Sequence, residues 1–365
     1  MYRYIYPLKR PIRRTLIILV IVAAGIKIFS LDSAAVERYY SNGLYPYIGI
    51  VQRFLFGWVP FSVGDILYAA AGIWLIRQVA KWVRAVRAGN VNRTYVFRSL
   101  QITACVALGV YCAFNLLWGL NYNRYGIDYQ LKLESSKYER EDLVEVAEQL
   151  VLRMNELQEA SVEPRKRLYK KRNLFLGAQE AYEQLREKQS IFRYPNPSIK
   201  PSIYSYLGNY LGFTGYYNPF TGEAQVNTAV PIFLRPFTSC HEIGHQLGYA
   251  KESEANFAAY LSGTSSRDPA FLYSVYFEMY AYAAGYLYYS DSASLKRIKA
   301  QLSSGVKSDL RELHQFLKKY NTPIETAIDK LYSQFLRANE QPSGKMSYSE
   351  VVGMLIAYYK REGHL

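Results

Sequence analysis

Two histidines stand four residues apart in the run His241-Glu242-Ile243-Gly244-His245, and the whole chain holds only 4 histidines. On an α-helix, positions i and i+4 lie about 40° apart around the axis, so both imidazoles leave the same face. Two nitrogen donors so placed suit one Zn2+ ion. Glu242 points to the flank of that face, where it can take a proton from a metal-held water rather than bind the metal itself.

The neighbouring residues extend this reading. Pro236 with Thr238 and Ser239 supplies a helix start just upstream. Gly248 lies three residues past His245, where a glycine can end the helix and turn the chain back toward the metal. The segment Lys251-Glu252-Ser253-Glu254-Ala255-Asn256 then offers two carboxylates. A site that keeps one position for water needs a third protein ligand. Glu252 is preferred, because Asn256 follows it by one helical turn and can orient a ligating histidine; Glu254 is the alternative. Cys240 points about 100° away from His241 and is a poor ligand. His314 and His364 lack acidic or histidine company and read as surface residues.

The chemistry expected is hydrolysis of a peptide or protein substrate. Zn2+ on His241, His245 and Glu252 lowers the pKa of a bound water, Glu242 accepts its proton, and the leaving amine receives it. A catalytically inactive zinc-binding envelope scaffold, or a peptide-binding module, is the competing reading. Glu242 argues against it, since a purely structural site has no use for a base and tends to close its fourth position with Cys or His.

The pattern His241-Glu242-x-x-His245 followed by Glu252-x-x-Ala255-Asn256 resembles that of gluzincin metallopeptidases, in which a Glu is the third ligand. Over nearly its whole length the chain is similar to the DUF3810 family of bacterial membrane proteins. The shared features are three N-terminal spans, Trp118-Gly119-x-Asn121-Tyr122-x-Arg124, Gly215-x-Tyr217-x-Pro219-Phe220-Thr221-Gly222-Glu223-Ala224, Pro236-Phe237-Thr238-x-x-His241-Glu242, and Glu252-x-Glu254-Ala255-Asn256-Phe257. The resemblance implies a zincin-like peptidase fold and no particular substrate. In peptidases of this kind an edge strand beside the motif helix pairs with extended substrate, a role that would fall to residues 223–230; a plain structural strand is the other reading. Lys251 occupies the place where a metzincin would carry its third histidine, which favours a glutamate ligand.

The elements that must position these residues divide the chain in two. Its 365 residues exceed one average domain, and half are apolar. The net charge of +14 is concentrated: residues 1–119 hold 14 Lys and Arg against 3 Asp and Glu, the rest 30 against 27. Basic residues flanking apolar runs follow the positive-inside pattern and argue against a nucleic-acid partner. Three runs near the length of a bilayer crossing, Thr15 to Leu31, about Phe61 to Ile76 and about Leu100 to Leu120, predict three transmembrane helices. The first, preceded by Arg3, Lys9, Arg10, Arg13 and Arg14, could be a signal peptide, but Asp32 spoils the cleavage position and an uncleaved anchor is favoured. Lys27 and Asp65 could pair within the membrane or each snorkel alone.

Residues 1–120 thus read as a membrane domain in the lipid bilayer, with the N-terminus and the basic 77–98 loop cytoplasmic and a nearly balanced outer loop around 32–60. Residues 121–365 read as an extracytoplasmic metallopeptidase-like domain of α+β class, mainly helical. The segment 235–256 is too polar to be the lipid-facing helix of an intramembrane protease. Helical periodicity runs over 140–158, 237–262, 268–289, 294–319, 323–338 and 347–360, with a small strand element at 223–230. The stretch 270–289 is apolar enough to tempt a fourth span, but Glu278 and its tyrosines predict a buried helix. The basic stretch Arg165 to Arg172 reads as a solvated face. The 3 cysteines carry no disulfide pattern, and the 36 tyrosines suit surfaces wet on one side.

Overall fold

The computed structural model describes residues 10–339 and 348–365, so Arg3, Lys9 and the start of the last expected helix lie outside the described residues. The first third holds helices α1 (Arg10–Ser30), α2 (Tyr45–Phe56), α3 (Val63–Arg87) and α4 (Arg93–Leu117). α3 and α4 are long and apolar enough to cross a membrane; α1 adds a third crossing only if it and the helices after it, bent from it by 95°, count as one span. Only 11% of the apolar window of α3, and of α4, is buried. So much exposed Ile, Leu and Trp is stable only in lipid. The second span begins near the expected place but runs on to Arg87, as long basic side chains can reach from the helix end to the polar boundary.

Residues 32–60 are not the plain loop their composition suggested. A π-helical stretch, Val36–Leu44, leads into α2, and both reach residues beyond 120, Glu37 pairing with Arg124 and Tyr45 with Gln246. Asp65, offered as a partner for Lys27, is fully buried. It accepts hydrogen bonds from the Ile203 amide at 2.7 Å and the Tyr216 hydroxyl at 2.6 Å.

The remaining two-thirds of the chain are mainly helical with one small sheet. Its longer helices are α5 (Arg140–Arg167), α6 (Lys171–Lys188), α7 (Arg235–Gln246), α8 (Glu252–Ser265), α9 (Pro269–Ser290), α10 (Ser292–Ala300), α11 (Ser304–Tyr320), α12 (Pro323–Ala338) and α13 (Tyr348–Glu362). In α5, Leu143, Val146, Ala147, Leu150, Val151 and Met154 recur at three- and four-residue steps and are buried against α9. α9 buries Phe271, Tyr273, Val275, Phe277 and Met279 around most of its circumference, the buried helix expected of 270–289. Each such large apolar side chain contributes about 1.5–3 kcal/mol by leaving water. α6, which is not among the helices expected from the sequence, has the same periodicity in Leu174, Ala178, Ala181 and Leu185. Arg165 corrects the expected solvated face: it is buried, paired with Asp309 at 3.0 Å and laid over the Tyr273 ring at 4.2 Å.

The sheet order is β1-β3-β2, with β1 (Ile199–Pro201) parallel and β2 (Gly215–Asn218) antiparallel to β3 (Glu223–Val226). The expected strand at 223–230 is therefore shorter, and it is central rather than an edge. The reason is local. The Asn218 side chain accepts from the Phe220 and Thr221 amides, closing a hairpin that puts β2 on the outside. After Val226 the Asn227 side chain binds Asn209 and the Phe213 carbonyl, and pairing stops. α7 lies across this sheet.

Candidate metal centre

α7 carries His241 and His245 one turn apart, with ring centroids 4.7 Å from each other. α8 starts at Glu252 and returns its carboxylate over them. Oε2 lies 3.4 Å from His241 Nε2 and Oε1 lies 3.8 Å from His245 Nε2. One donor atom from each of the three falls within 4.8 Å of the others. Ligands about 2.0–2.1 Å from a tetrahedral ion sit about 3.4 Å apart, so these three side chains could hold one metal ion.

The tautomer of His245 supports that use. Gly248 adopts φ +86, a left-handed turn, and a Cβ there would lie 2.9 Å from the Tyr45 ring. The turn presents the Tyr249 carbonyl to His245 Nδ1 at 2.7 Å. A carbonyl only accepts, so Nδ1 carries the proton and the Nε2 lone pair faces Glu252. Two acceptors facing each other leave room for a cation between them. His241 Nδ1 is buried without a hydrogen-bond partner, although Asn256 stands beside that ring.

The electrostatics point the same way. Burial would lower His241, but its hydrogen bond to Glu252 and the charges of Glu242 and Glu252 hold it up to about 9. His245 is pushed down to about 4 by burial, with His241 adding to the effect. Burial would raise Glu252, yet His241 and His245 pull it down to about 2. The ion-free cluster thus balances Glu252 with a proton on His241. A divalent cation does the same without a proton. Burial pushes Glu242 up to about 8, with the charge of Glu252 adding to the effect and that of His241 pulling the other way, and its Oε2 has no hydrogen-bond partner.

Glu254 is turned elsewhere, 3.7 Å from Lys251 Nζ, so of the two candidate carboxylates Glu252 faces the imidazoles. Cys240 is buried away from the cluster, its thiol pushed up to about 12 by burial. His314 and His364 are exposed. Glu278 on α9 was missed as a neighbour of the site. Burial pushes it up to about 7, with the charge of His241 pulling the other way.

Residues 40–356 match the family model described as a protein of unknown function, DUF3810. The chain belongs to the DUF3810 family. No curated protein and no solved structure matches it.

The matched span of this DUF3810 chain takes in the whole cluster and most of the elements that hold it. Several come from the first third. The Tyr45 hydroxyl donates to the Gln246 carbonyl at 2.8 Å, Trp118 Nε1 to the His245 carbonyl at 2.9 Å, and Arg53 to the Gln246 carbonyl at 3.2 Å. They satisfy the carbonyls that a helix C-terminus leaves without partners. The Gln246 amide ties the same helix end to the Ser198 and Gly222 carbonyls at 2.8 and 2.6 Å. Sequence reasoning marked Trp118 only as part of a shared motif and missed Tyr45, Arg53 and Gln246. Contacts across so many residues leave no spacing to find.

The cluster lies in a cavity of about 630 Å3. On one side α12 contributes Tyr332, whose hydroxyl donates to Glu252 Oε1 at 2.5 Å. On the other, β2 comes so close that a Cβ on Gly215 would sit 2.4 Å from Glu242 Oε1. Gly215→Ala in this DUF3810 protein is therefore expected to displace the Glu242 carboxylate while leaving His241, His245 and Glu252 in place. Metal content should be unchanged in elemental analysis, and any activity that depends on Glu242 should fall at least about tenfold, as misplacement of a reacting group by ~1 Å can cost still more.

Proposed function

We propose that this protein is a membrane-anchored, zinc-dependent metallopeptidase of gluzincin type, its zincin-like domain on the extracytoplasmic side. His241, His245 and Glu252 would hold the ion, and Glu242 would act as general base. One observation carries the reading. Two imidazoles and a carboxylate converge within bonding reach of a common centre, while a second buried carboxylate, Glu242, stands beside them with an oxygen left unpartnered.

When bound, zinc supplies Lewis acidity to water and to a peptide carbonyl. Glu242, desolvated beside the site, accepts the proton of the attacking water and delivers it to the leaving amine. Tyr249, through its carbonyl, keeps the His245 proton on Nδ1 and so keeps Nε2 available. The Tyr332 hydroxyl lines the cavity and donates its one proton to Glu252 Oε1, which holds that carboxylate over the imidazoles. β2 is at a sheet edge and lines the cavity at Gly215 to Tyr217, so an extended peptide can lie along it. The orientation follows from the basic residues, Arg77 to Arg98, at the end of the α3–α4 hairpin remote from the site.

The test is elemental analysis of the detergent-purified full-length chain beside a peptide-cleavage assay. Wild type should carry one zinc per chain and cleave. His241→Ala and Glu252→Ala should each lose most of the metal, since removing one of three protein ligands weakens binding by at least about tenfold to a hundredfold. Glu254→Gln should keep the metal. Retention of zinc by Glu252→Ala, or wild type that binds zinc and cleaves nothing across a broad peptide library, sinks the assignment.

A further inference from the structure

We propose that the substrate is a polypeptide anchored in the same bilayer by an apolar segment, cleaved beside that segment after reaching the site sideways between α3 and α4. This inference rests on the peptidase reading and adds the class of substrate. The cavity around Glu242 does not end within the last two-thirds of the chain. Its lining continues to Tyr68 on α3 and to Ala107, Val110, Tyr111 and Phe114 on α4. Those four α4 residues follow three- and four-residue steps and share one helix face. α4 ends at Leu117, so Ala107 lies roughly 15 Å along the helix from that end, at about 1.5 Å per residue. The hydrocarbon layer is about 30 Å thick. The apolar wall is thus about half as long as that layer is thick.

The same residues are open to the outside of the molecule: Val110 is 53% exposed, and Tyr68 and Tyr111 are 39% exposed each. Among the described residues α4 packs along α1, and no helix packs along the length of α3. What remains between α3 and α4 is a trough open to lipid. A site for freely diffusing peptides has no use for such a wall, because a water-soluble chain does not enter hydrocarbon. At its upper end the trough meets β2 at Gly215 to Tyr217, beside Glu242. The path is continuous: an apolar wall within the bilayer, then a strand edge able to pair with extended backbone, then the metal cluster. A polypeptide with an apolar anchor and a polar stretch outside it matches each part in order. A lipid acyl chain matches only the first.

The experiment uses the full-length, zinc-loaded chain in phosphatidylcholine–phosphatidylglycerol vesicles. A randomised peptide segment is supplied in two forms, fused to a Leu/Ala helix of about 20 residues that spans the bilayer, or free in solution. Anchored segments should be cleaved at least about tenfold faster, because confinement beside the site raises their effective concentration. Val110→Trp, with zinc content checked, should bring the anchored-to-free ratio close to one. In the Glu242→Gln background, a photo-crosslinking amino acid in place of Tyr111 should couple to the anchored form. Equal cleavage of both forms, or a ratio indifferent to Val110→Trp, overturns the anchored class and leaves the peptidase intact. Cleavage of neither form overturns both readings. Crosslinking of lipid alone at position 111 overturns this inference by assigning the trough to an acyl chain.

Discussion

Glu242→Gln in the full-length chain is expected to keep the zinc content of the wild type while peptide cleavage falls by roughly 10²–10⁴-fold, the usual contribution of a positioned general base. Glu242 is 2% exposed, and it is not one of the three groups that converge on the candidate metal position. The amide has the shape of the carboxyl, so it fits beside Gly215 without disturbing α7. It cannot accept a proton from water. The loss should therefore appear in kcat and in kcat/KM together, since a proton transfer is made only in the transition state. Metal analysis and steady-state kinetics on one preparation check it. A variant that loses zinc makes Glu242 a ligand or a structural group, and a variant that cleaves like wild type hands the base role to another residue.

The second large effect concerns the boundary between the first third and the rest of the chain. The fragment 121–365 looks like a domain in its own right, but removing residues 1–120 strips Tyr45, Arg53 and Trp118 from the carbonyls at the end of α7. It also removes Glu37, which binds Arg124 through two 3.0 Å hydrogen bonds. The Arg124 side chain is 3% exposed, and it donates onward to the Gly248 carbonyl at 3.3 Å. Each hydrogen bond to the helix end is worth about 1 kcal/mol, and a buried charge left without its partner costs about 3–5 kcal/mol. The total approaches the whole stability of a typical domain, about 5–15 kcal/mol. The fragment is expected to bind zinc at least about tenfold more weakly than the full chain, or to fail to fold. Circular dichroism and zinc titration decide it. Within the full chain, Glu37→Ala should lower the Tm in detergent, while Glu37→Asp should recover part of the loss. A fragment that folds and binds zinc like the full chain makes the contacts of the first third dispensable.

The short-range features were open to sequence reasoning because each depends on spacing along one helix. His241 and His245 face one way because they are one turn apart. Gly248 ends their helix because only a left-handed turn brings the chain back. The apolar stripe of α5 and the long apolar runs of α3 and α4 needed nothing beyond periodicity and length. The choice of Glu252 over Glu254 was only a preference until the turn at 247–251 was known, because that turn decides which carboxylate comes back over α7.

Other features had no local signature. β3 was legible as a strand. That it is central, leaving β2 at the edge, was decided by a hairpin turn and by the arrival of β1 from outside that stretch. Arg165 sits in a run of basic residues that looks solvated, and only the approach of Asp309 and Tyr273 buries it.

The sequence alone determined the histidine pair on one helix face, the glutamate beside it, the apolar crossings and the mainly helical character, since these follow from residue type and from periods of a few residues. Tertiary structure decided which carboxylate completes the cluster, that Tyr45, Arg53 and Trp118 from the membrane-proximal third clamp the end of α7, and that the cavity runs on between α3 and α4. The physical reason is range. Helical periodicity acts over a single turn, whereas a hydrogen bond from Tyr45 to Gln246 or a lining shared by Ala107 and Glu242 exists only after the intervening chain has packed.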